Sequence, residues 1–246
     1  ASTKVVDGTY VSSSTIEIPE VMATWIEHLQ RPEKAKHFER FQIQGAISTG
    51  AFQEMFKRAK ESTSSAGPIH YTLWKCMAAD DELAKWMAIM TSIPFMFGFA
   101  PTRWTEMIDV MLEKKKNNRK IHMLRIIGLV APDFNTALKH FNKLFSDRLE
   151  STEALSDEQW GCRPNRQAID AAMLKLLSFE CARTQRTTIA CAYYDQVACF
   201  DRMLPSLSNI LYRRMGMHPQ ILKARAAVID GMRRYIRTAA GDSEDS

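Results

Sequence analysis

Residues 187–201 read TTIACAYYDQVACFD, and this stretch decides how the rest of the chain is interpreted. It opens with β-branched residues and contains two tyrosines, which together favour a strand with a half-buried face. The strand then reaches Asp195, and an aromatic residue, Phe200, directly precedes Asp201. A carboxylate at the end of a core strand is unfavourable unless it meets a cation or a hydrogen-bond donor. The stretch therefore predicts a strand that carries Asp195 to a metal ion.

The spacing of the two aspartates argues against their holding one ion together. Along a strand, at ~3.3 Å per residue, Asp195 and Asp201 would lie roughly 20 Å apart, and on a helix they would occupy different faces. Asp195 is therefore the candidate metal ligand, and Asp201 is the candidate orienting or capping residue. The pattern alone also admits a plainer interpretation, in which Asp195 ends a strand in a turn and Asp201 begins a helix.

Two blocks of sequence resemble reverse transcriptases of retroelements that lack long terminal repeats. The first is the family's motif A: an aspartate, three variable residues, a small residue, an aromatic residue and a second aspartate, here Asp195, 196–198, Cys199, Phe200 and Asp201. The second block, QWGCRPNRQAIDA at residues 159–171, is similar to the family's Q-x-G-F-R-P-G-R-x-x-x-D-A pattern. The two blocks stand in the family's order.

The resemblance implies an α+β fold in which helices dominate, formed by the fingers and part of the palm of a right-hand polymerase. On this interpretation residues 1–61 form a helical N-terminal region and residues 62–186 form a fingers-like region. Residues 187–246 would form a partial palm that stops before the second catalytic carboxylate motif.

The resemblance also implies an activity, the template-directed transfer of deoxynucleotides to a primer 3′-hydroxyl. Two Mg²⁺ ions stabilise the attacking and leaving oxygens in such reactions. Asp195 would be the catalytic metal ligand, assisted by the backbone carbonyl of Gln196, and the second set of ligands is missing from this chain. We therefore expect residues 1–246 alone to be inactive as a polymerase.

Phe200 has two possible roles. By resemblance it would lie under the sugar of the incoming nucleotide and exclude a 2′-hydroxyl. The alternative from the residue type alone is a core side chain packed on the helix that follows.

A basic segment and a following strand suggest contacts with a triphosphate. Lys114, Lys115 and Lys116 begin the segment, and residues 121–129 (IHMLRIIGL) alternate enough to predict a strand that carries Arg125. The resemblance assigns Arg125 and a nearby lysine to the incoming nucleotide. Cations at a helix C-terminus are the alternative explanation of the lysine run.

The block at residues 159–171 also suggests contacts with a nucleic-acid strand. Gly161 permits close backbone approach, and the guanidinium groups of Arg163 and Arg166 are suited to phosphate. Lys139, His140 and Lys143 occur together in a predicted helix, where they form either a phosphate-tracking face or an ordinary solvated one.

The amino-acid composition is compatible with the resemblance to reverse transcriptases but does not by itself indicate it. The 246 residues are 46% hydrophobic and 25% charged with a net charge of +5, so a packed core and a polyanionic partner are both possible. The five cysteines lack zinc or C-x-x-C spacing, which suggests reduced thiols and an intracellular location in cytoplasm or nucleus. No apolar run approaches ~20 residues, so we expect no membrane partner.

The expected partners are a primed RNA or DNA template and deoxynucleoside triphosphates. The alternative is a non-catalytic nucleic-acid-binding remnant of a decayed retroelement, because the same basic residues would serve both.

Patterning also predicts the local structure along the chain. A strand starts at residue 187, and the apolar side chains of the helix at 167–183 are assigned to the core. Residues 94–101 form a buried connector. Helices are predicted at residues 19–30, from 32 onward, and at 46–59, 80–91, 102–113, 133–149, 167–183, 205–215 and 219–237.

Overall fold

A computed structural model describes residues 42–60, 66, 69–115, 120, 124–194, 205–238 and 241–242. The α-helices in these ranges are α1 (Thr49–Lys57), α2 (Tyr71–Ala79), α3 (Asp81–Phe97), α4 (Pro132–Ser151), α5 (Ala168–Thr184), α6 (Pro205–Arg214) and α7 (Pro219–Asp230). The strands are β1 (Glu106–Glu113), β2 (Leu124–Leu129), β3 (Arg233–Thr238) and β4 (Gly241–Asp242). The expected mixed, helix-dominated class is confirmed.

The four strands form one sheet in the order β2-β1-β3-β4. β1 pairs antiparallel with β2 and parallel with β3, and β4 pairs antiparallel with β3. β1 is therefore an interior strand, bounded by a hairpin partner on one side and by a strand from much later in the chain on the other.

Aromatic side chains fill the core between the helices and the start of β1. Phe56 stacks on Trp74 with ring centroids 5.4 Å apart, and Phe95 lies 5.1 Å from Trp104 and 4.9 Å from Phe141. All five are essentially inaccessible to solvent. Burial of rings of this size, with tilted or offset contacts, makes them the main apolar contribution to the fold.

A buried carboxylate joins the start of the sheet to α4. Asp133 is fully buried in the first turn of α4. It accepts a bidentate pair of hydrogen bonds from Arg103 and a 2.8 Å bond from the indole Nε1 of Trp104. The Arg103 guanidinium also lies over the ring of Trp74, 5.6 Å from its centroid. Because the carboxylate has three donors, its burial is compensated.

The prediction of a helix at residues 102–113 is wrong. A short 3₁₀ turn at Thr102–Trp104 leads directly into β1. A short apolar run such as MIDVML fits helical and strand periodicity almost equally well, and pairing with both β2 and β3 favours the strand. The helix-terminus explanation of the lysine run fails with it, because Lys114 and Lys115 follow a strand.

Two other predicted boundaries need correction. α3 continues through Pro94 to Phe97 and ends at Gly98, whose left-handed φ of 76° closes the helix, so residues 94–97 are not a connector. Proline removes only one backbone donor, and here Pro94 is buried in the core. The last helix, α7, ends at Asp230, and Arg233–Thr238 form strand β3 where the sequence predicted that the helix would continue.

The core assignment for α5 is also wrong. Ala182 is its only buried side chain, and four apolar side chains that we placed in the core are at least half exposed: Ile169, Met173, Leu176 and Leu177. Periodicity shows which side chains share a helix face, but not whether another element covers that face.

The strand expected from residue 187 does not form within residues 187–194, which have no regular secondary structure. Tyr193 and Tyr194 are 68% and 93% exposed, so the half-buried face expected of them is absent too. β-propensity depends on a partner strand. The predicted helices at 19–30 and from 32 lie outside the described residues.

Four of the other helices in the described residues agree with prediction. α1, α4, α5 and α6 lie where the sequence placed them, and β2 falls within the predicted strand. No helix in the described ranges is both long and apolar enough to cross a lipid bilayer.

Candidate nucleotide and nucleic-acid site

The β1–β2 hairpin gathers three of the predicted triphosphate contacts at one end. In the antiparallel register Arg125 lies opposite Leu112, and Leu124 lies opposite Glu113. Lys114 and Lys115 follow β1 directly, so they leave the sheet at the end where Arg125 enters it. All three side chains are exposed. The hairpin thus concentrates positive charge at its tip.

One face of the sheet extends this charge beyond the hairpin. Residues opposite one another in register project from the same face. Arg125 shares its face with Leu112, and Arg233 shares the same face of β1 through its pairing with Glu106. Side chains alternate between the two faces along a strand, so Tyr235 and Arg237 of β3 project from the same face as Arg233. We call these four residues, Arg125, Arg233, Tyr235 and Arg237, the basic sheet face.

The opposite face carries an ion pair between Asp109 and Arg234. Asp109 is 5% exposed and accepts a 2.9 Å hydrogen bond from Nε of Arg234, from the neighbouring parallel strand. On the basic sheet face, Arg233 lies 3.2 Å from Glu106, a pair in which both side chains are over 40% exposed. An ion pair in which both side chains are this exposed contributes little to stability. The guanidinium of Arg233 can therefore leave Glu106 and bind another anion.

Sequence reasoning missed the contribution of β3 to this surface. It read residues 219–237 as one helix and noted the arginines only as late positive charge. The signal was present in Gly231, which ends α7, and in the aromatic and β-branched residues Tyr235, Ile236 and Thr238 that follow.

Arg163 has a full set of partners within the chain. It donates to both carboxylate oxygens of Glu150 at 2.8 and 2.9 Å, and to the carbonyl oxygens of Ser156 and Gln159 at 2.7 and 3.3 Å. Its side chain is 7% exposed. These bonds tie the loop after α4 back onto the end of that helix, which gives Arg163 a structural role beside the predicted one.

The contact between Arg163 and Glu150 shifts the pKa of both side chains. Hydrogen bonding from Arg163, together with the charges of Arg163 and Arg166, lowers the pKa of Glu150 below its ordinary value. The same hydrogen bonds raise the pKa of Arg163. The pair therefore stays ionised to a lower pH than an isolated glutamate would allow.

Arg166 and Gly161 belong to the same loop, with the Arg166 side chain partly buried and Gly161 exposed. Arg166 donates to the backbone carbonyl and the carboxylate of Asp157 at 2.6 and 2.8 Å, and it lies 5.1 Å from the ring centroid of Trp160. Gly161 is exposed, and a side chain there would meet only the amide of Gln159, at 3.6 Å. Contact of either residue with nucleic acid stays a prediction.

The loop has a left-handed backbone conformation at two positions, Cys162 and Asn165. Asn165 has a φ of 59°, in the left-handed region. The family pattern has glycine at this position, and asparagine is among the side chains that tolerate the region best. The substitution of asparagine for glycine therefore keeps the turn.

The predicted metal site and sugar contact lie outside the described residues. These residues are Asp195, Gln196, Phe200 and Asp201, and Lys116 lies outside as well. Within the part of the chain that the structure describes, no three His, Cys, Asp or Glu side chains are grouped to hold a metal ion. Four of the cysteines are described, and they are free and exposed: Cys76, Cys162, Cys181 and Cys191.

Comparison with known proteins does not place this chain in a family. No protein-family model matches the sequence, and no curated protein is similar to it at a significant level. The resemblance to reverse transcriptases therefore stays a prediction from the two sequence blocks.

Proposed function

We propose that this chain is part of a retroelement reverse transcriptase, comprising its fingers and the first part of its palm, and that it acts inside the cell, in cytoplasm or nucleus. The complete enzyme would transfer deoxynucleotides to a primer 3′-hydroxyl on an RNA or DNA template. The hairpin carries the proposal, because it brings Lys114, Lys115 and Arg125 together at one exposed end.

A cluster of cations at the tip of a hairpin is suited to a triphosphate. Preorganised positive groups stabilise the charge that develops on transferring phosphoryl groups. Arg125 would donate to the phosphate oxygens in a fork geometry, and Lys114 or Lys115 would supply a point charge beside it. The other cations of the basic sheet face would raise the local concentration of the anionic nucleotide.

Magnesium would be held by the carboxylate of Asp195 and the backbone carbonyl of Gln196, and it would activate the primer hydroxyl and stabilise the departing pyrophosphate. Phe200 would lie against the sugar and exclude a 2′-hydroxyl by its bulk, and Asp201 would orient or cap the segment. The left-handed turn at Asn165 supports the resemblance independently of these residues.

Substitution of Arg125 tests the proposed triphosphate contact. In a polypeptide that carries this chain and polymerises, Arg125→Ala should raise the KM for deoxynucleotide roughly tenfold to a hundredfold. This is the loss of a charge-assisted hydrogen bond worth about 1.5–3 kcal/mol. Steady-state primer extension at varied nucleotide concentration measures it.

The matched control is Arg183→Ala. Arg183 is an exposed arginine on α5 whose partner is Glu180 in its own helix, and its loss should leave the KM unchanged. If Arg125→Ala instead weakens primer–template binding while the KM holds, Arg125 contacts the duplex. A polypeptide that binds template but never extends a primer would favour the nucleic-acid-binding remnant.

A further inference from the structure

A groove between α1 and α4 has the features of a second anion site, formed by other elements than the hairpin. Its volume is about 310 Å³, at the small end of the range usual for ligand sites, about 300–1,000 Å³. Its lining residues are Ala51, Glu54, Met55, Arg58, Thr136, Lys139, His140, Lys143 and Leu144.

The lining follows helical spacing on both sides. On each helix the lining positions recur three and four residues apart, so they form one continuous stripe. The stripe on α1 is about 10 Å long, at 1.5 Å rise per residue. The groove is therefore built by two helix faces, and both helices are anchored beneath it by the buried side chains of Phe52, Phe56 and Phe141.

The charges in the groove are unbalanced. Arg58, Lys139 and Lys143 are exposed cations, and Glu54 is the one carboxylate among the lining residues. Glu54 is paired with Arg58 at 2.6 Å, on its own helix. The two lysines of α4 have no acidic neighbour among the lining residues, so the α4 side of the groove is positive.

The lining also has an apolar part and a histidine. Ala51, Met55 and Leu144 form the apolar surface. His140 is half-buried, and burial, followed by the charge of Lys143, lowers its pKa. Its imidazole is therefore neutral at neutral pH, and a bound dianion would draw a proton onto it.

We propose that this groove binds a nucleoside phosphate, either free or as one unit of a polynucleotide strand. Lys139 and Lys143 bind the phosphate, and Met55 and Leu144 contact the sugar or base. The site is separate from the basic sheet face and does not depend on a metal ion or on polymerase activity.

The test uses the purified 246-residue chain with two probes, thymidine monophosphate and a short oligothymidylate. Binding is measured by fluorescence anisotropy of the labelled oligonucleotide, with the monophosphate as competitor, and the pKa of His140 is followed by NMR titration. Lys139→Gln and Lys143→Gln should each weaken binding about twofold to fivefold. Saturation with a probe should raise the pKa of His140.

Lys85→Gln is the matched control, because Lys85 is an exposed lysine on a different helix, α3, and its loss should leave binding and His140 unchanged. A shift of His140 by the monophosphate alone assigns the groove to free nucleotides, and a shift only by the oligonucleotide assigns it to a strand. Unchanged affinity in both lysine variants, or an unmoved His140, overturns the inference. That result would leave the proposed polymerase function intact, since Arg125 tests it separately.

Discussion

At the scale of single residues, Asp133 is the side chain whose partners are most completely specified. Replacing Asp133 with Asn removes the charge that faces Arg103 and leaves one oxygen for three donors. We expect a loss of about 1–3 kcal/mol in the free energy of unfolding, the cost of leaving a buried polar group without its partner. Urea unfolding measures this loss. Asp147→Asn is the control, because Asp147 is exposed on the same helix and its loss should change stability little.

The Glu150–Arg163 pair predicts a dependence of stability on pH. The pKa of Glu150 is lowered in the folded chain, so its contribution is present above the unfolded pKa of about 4.3 and is lost as pH falls through the folded pKa. The free energy of unfolding of the wild type should therefore exceed that of Glu150→Gln at pH 7, and the difference should shrink in acid. Urea unfolding of both proteins across the acid range measures it, and a difference independent of pH would show that the pair is not formed.

Residue-level reasoning from sequence identified side chains but not their partners. Arg163 was singled out for contact with nucleic acid, and in the folded chain its guanidinium binds a carboxylate, that of Glu150. Its carboxylate partner lies 13 residues earlier, at the end of another element, where no local pattern points to it. The same limit applies to Asp133, since Arg103 lies 30 residues away in sequence.

At the scale of elements, Gly45 sets how closely the segment before α1 approaches α3. A Cβ at Gly45 would lie 2.5 Å from the carbonyl oxygen of Phe95, a backbone atom that cannot rotate away. Gly45→Ala should cost about 1–3 kcal/mol by overpacking. Gly50→Ala is the control with opposite sign, because Gly50 is helical with open space around it and should gain up to about 1 kcal/mol. Thermal or urea unfolding distinguishes them, and equal effects would place the contact elsewhere.

Helices were easier to predict than strands, for a physical reason. A helix satisfies its backbone hydrogen bonds within one segment, so caps and periodicity locate α4 and α6 from sequence alone. β1 is defined by partners on both sides, one of them more than a hundred residues later in the chain. Its local sequence therefore could not separate it from a short amphipathic helix.

At the scale of the whole molecule, the basic sheet face is assembled from segments far apart in sequence. Asp109 and Arg234, which join the two parallel strands, are 125 residues apart. The sequence identified the hairpin cations individually, and folding adds the arginines of β3 to the same surface. Asp195 is predicted to bind metal by resemblance alone, and it lies outside the described residues.

The most direct test of the proposed function is RNA-templated primer extension. A polypeptide that carries this chain, supplied with Mg²⁺, primer and deoxynucleotides, should extend the primer. Asp195→Asn should abolish extension, because we propose that this carboxylate holds the catalytic metal. Asp170→Asn is the control, since the Asp170 side chain caps α5 and its loss should leave extension near the wild-type rate. Extension by Asp195→Asn at the wild-type rate would contradict the proposed site.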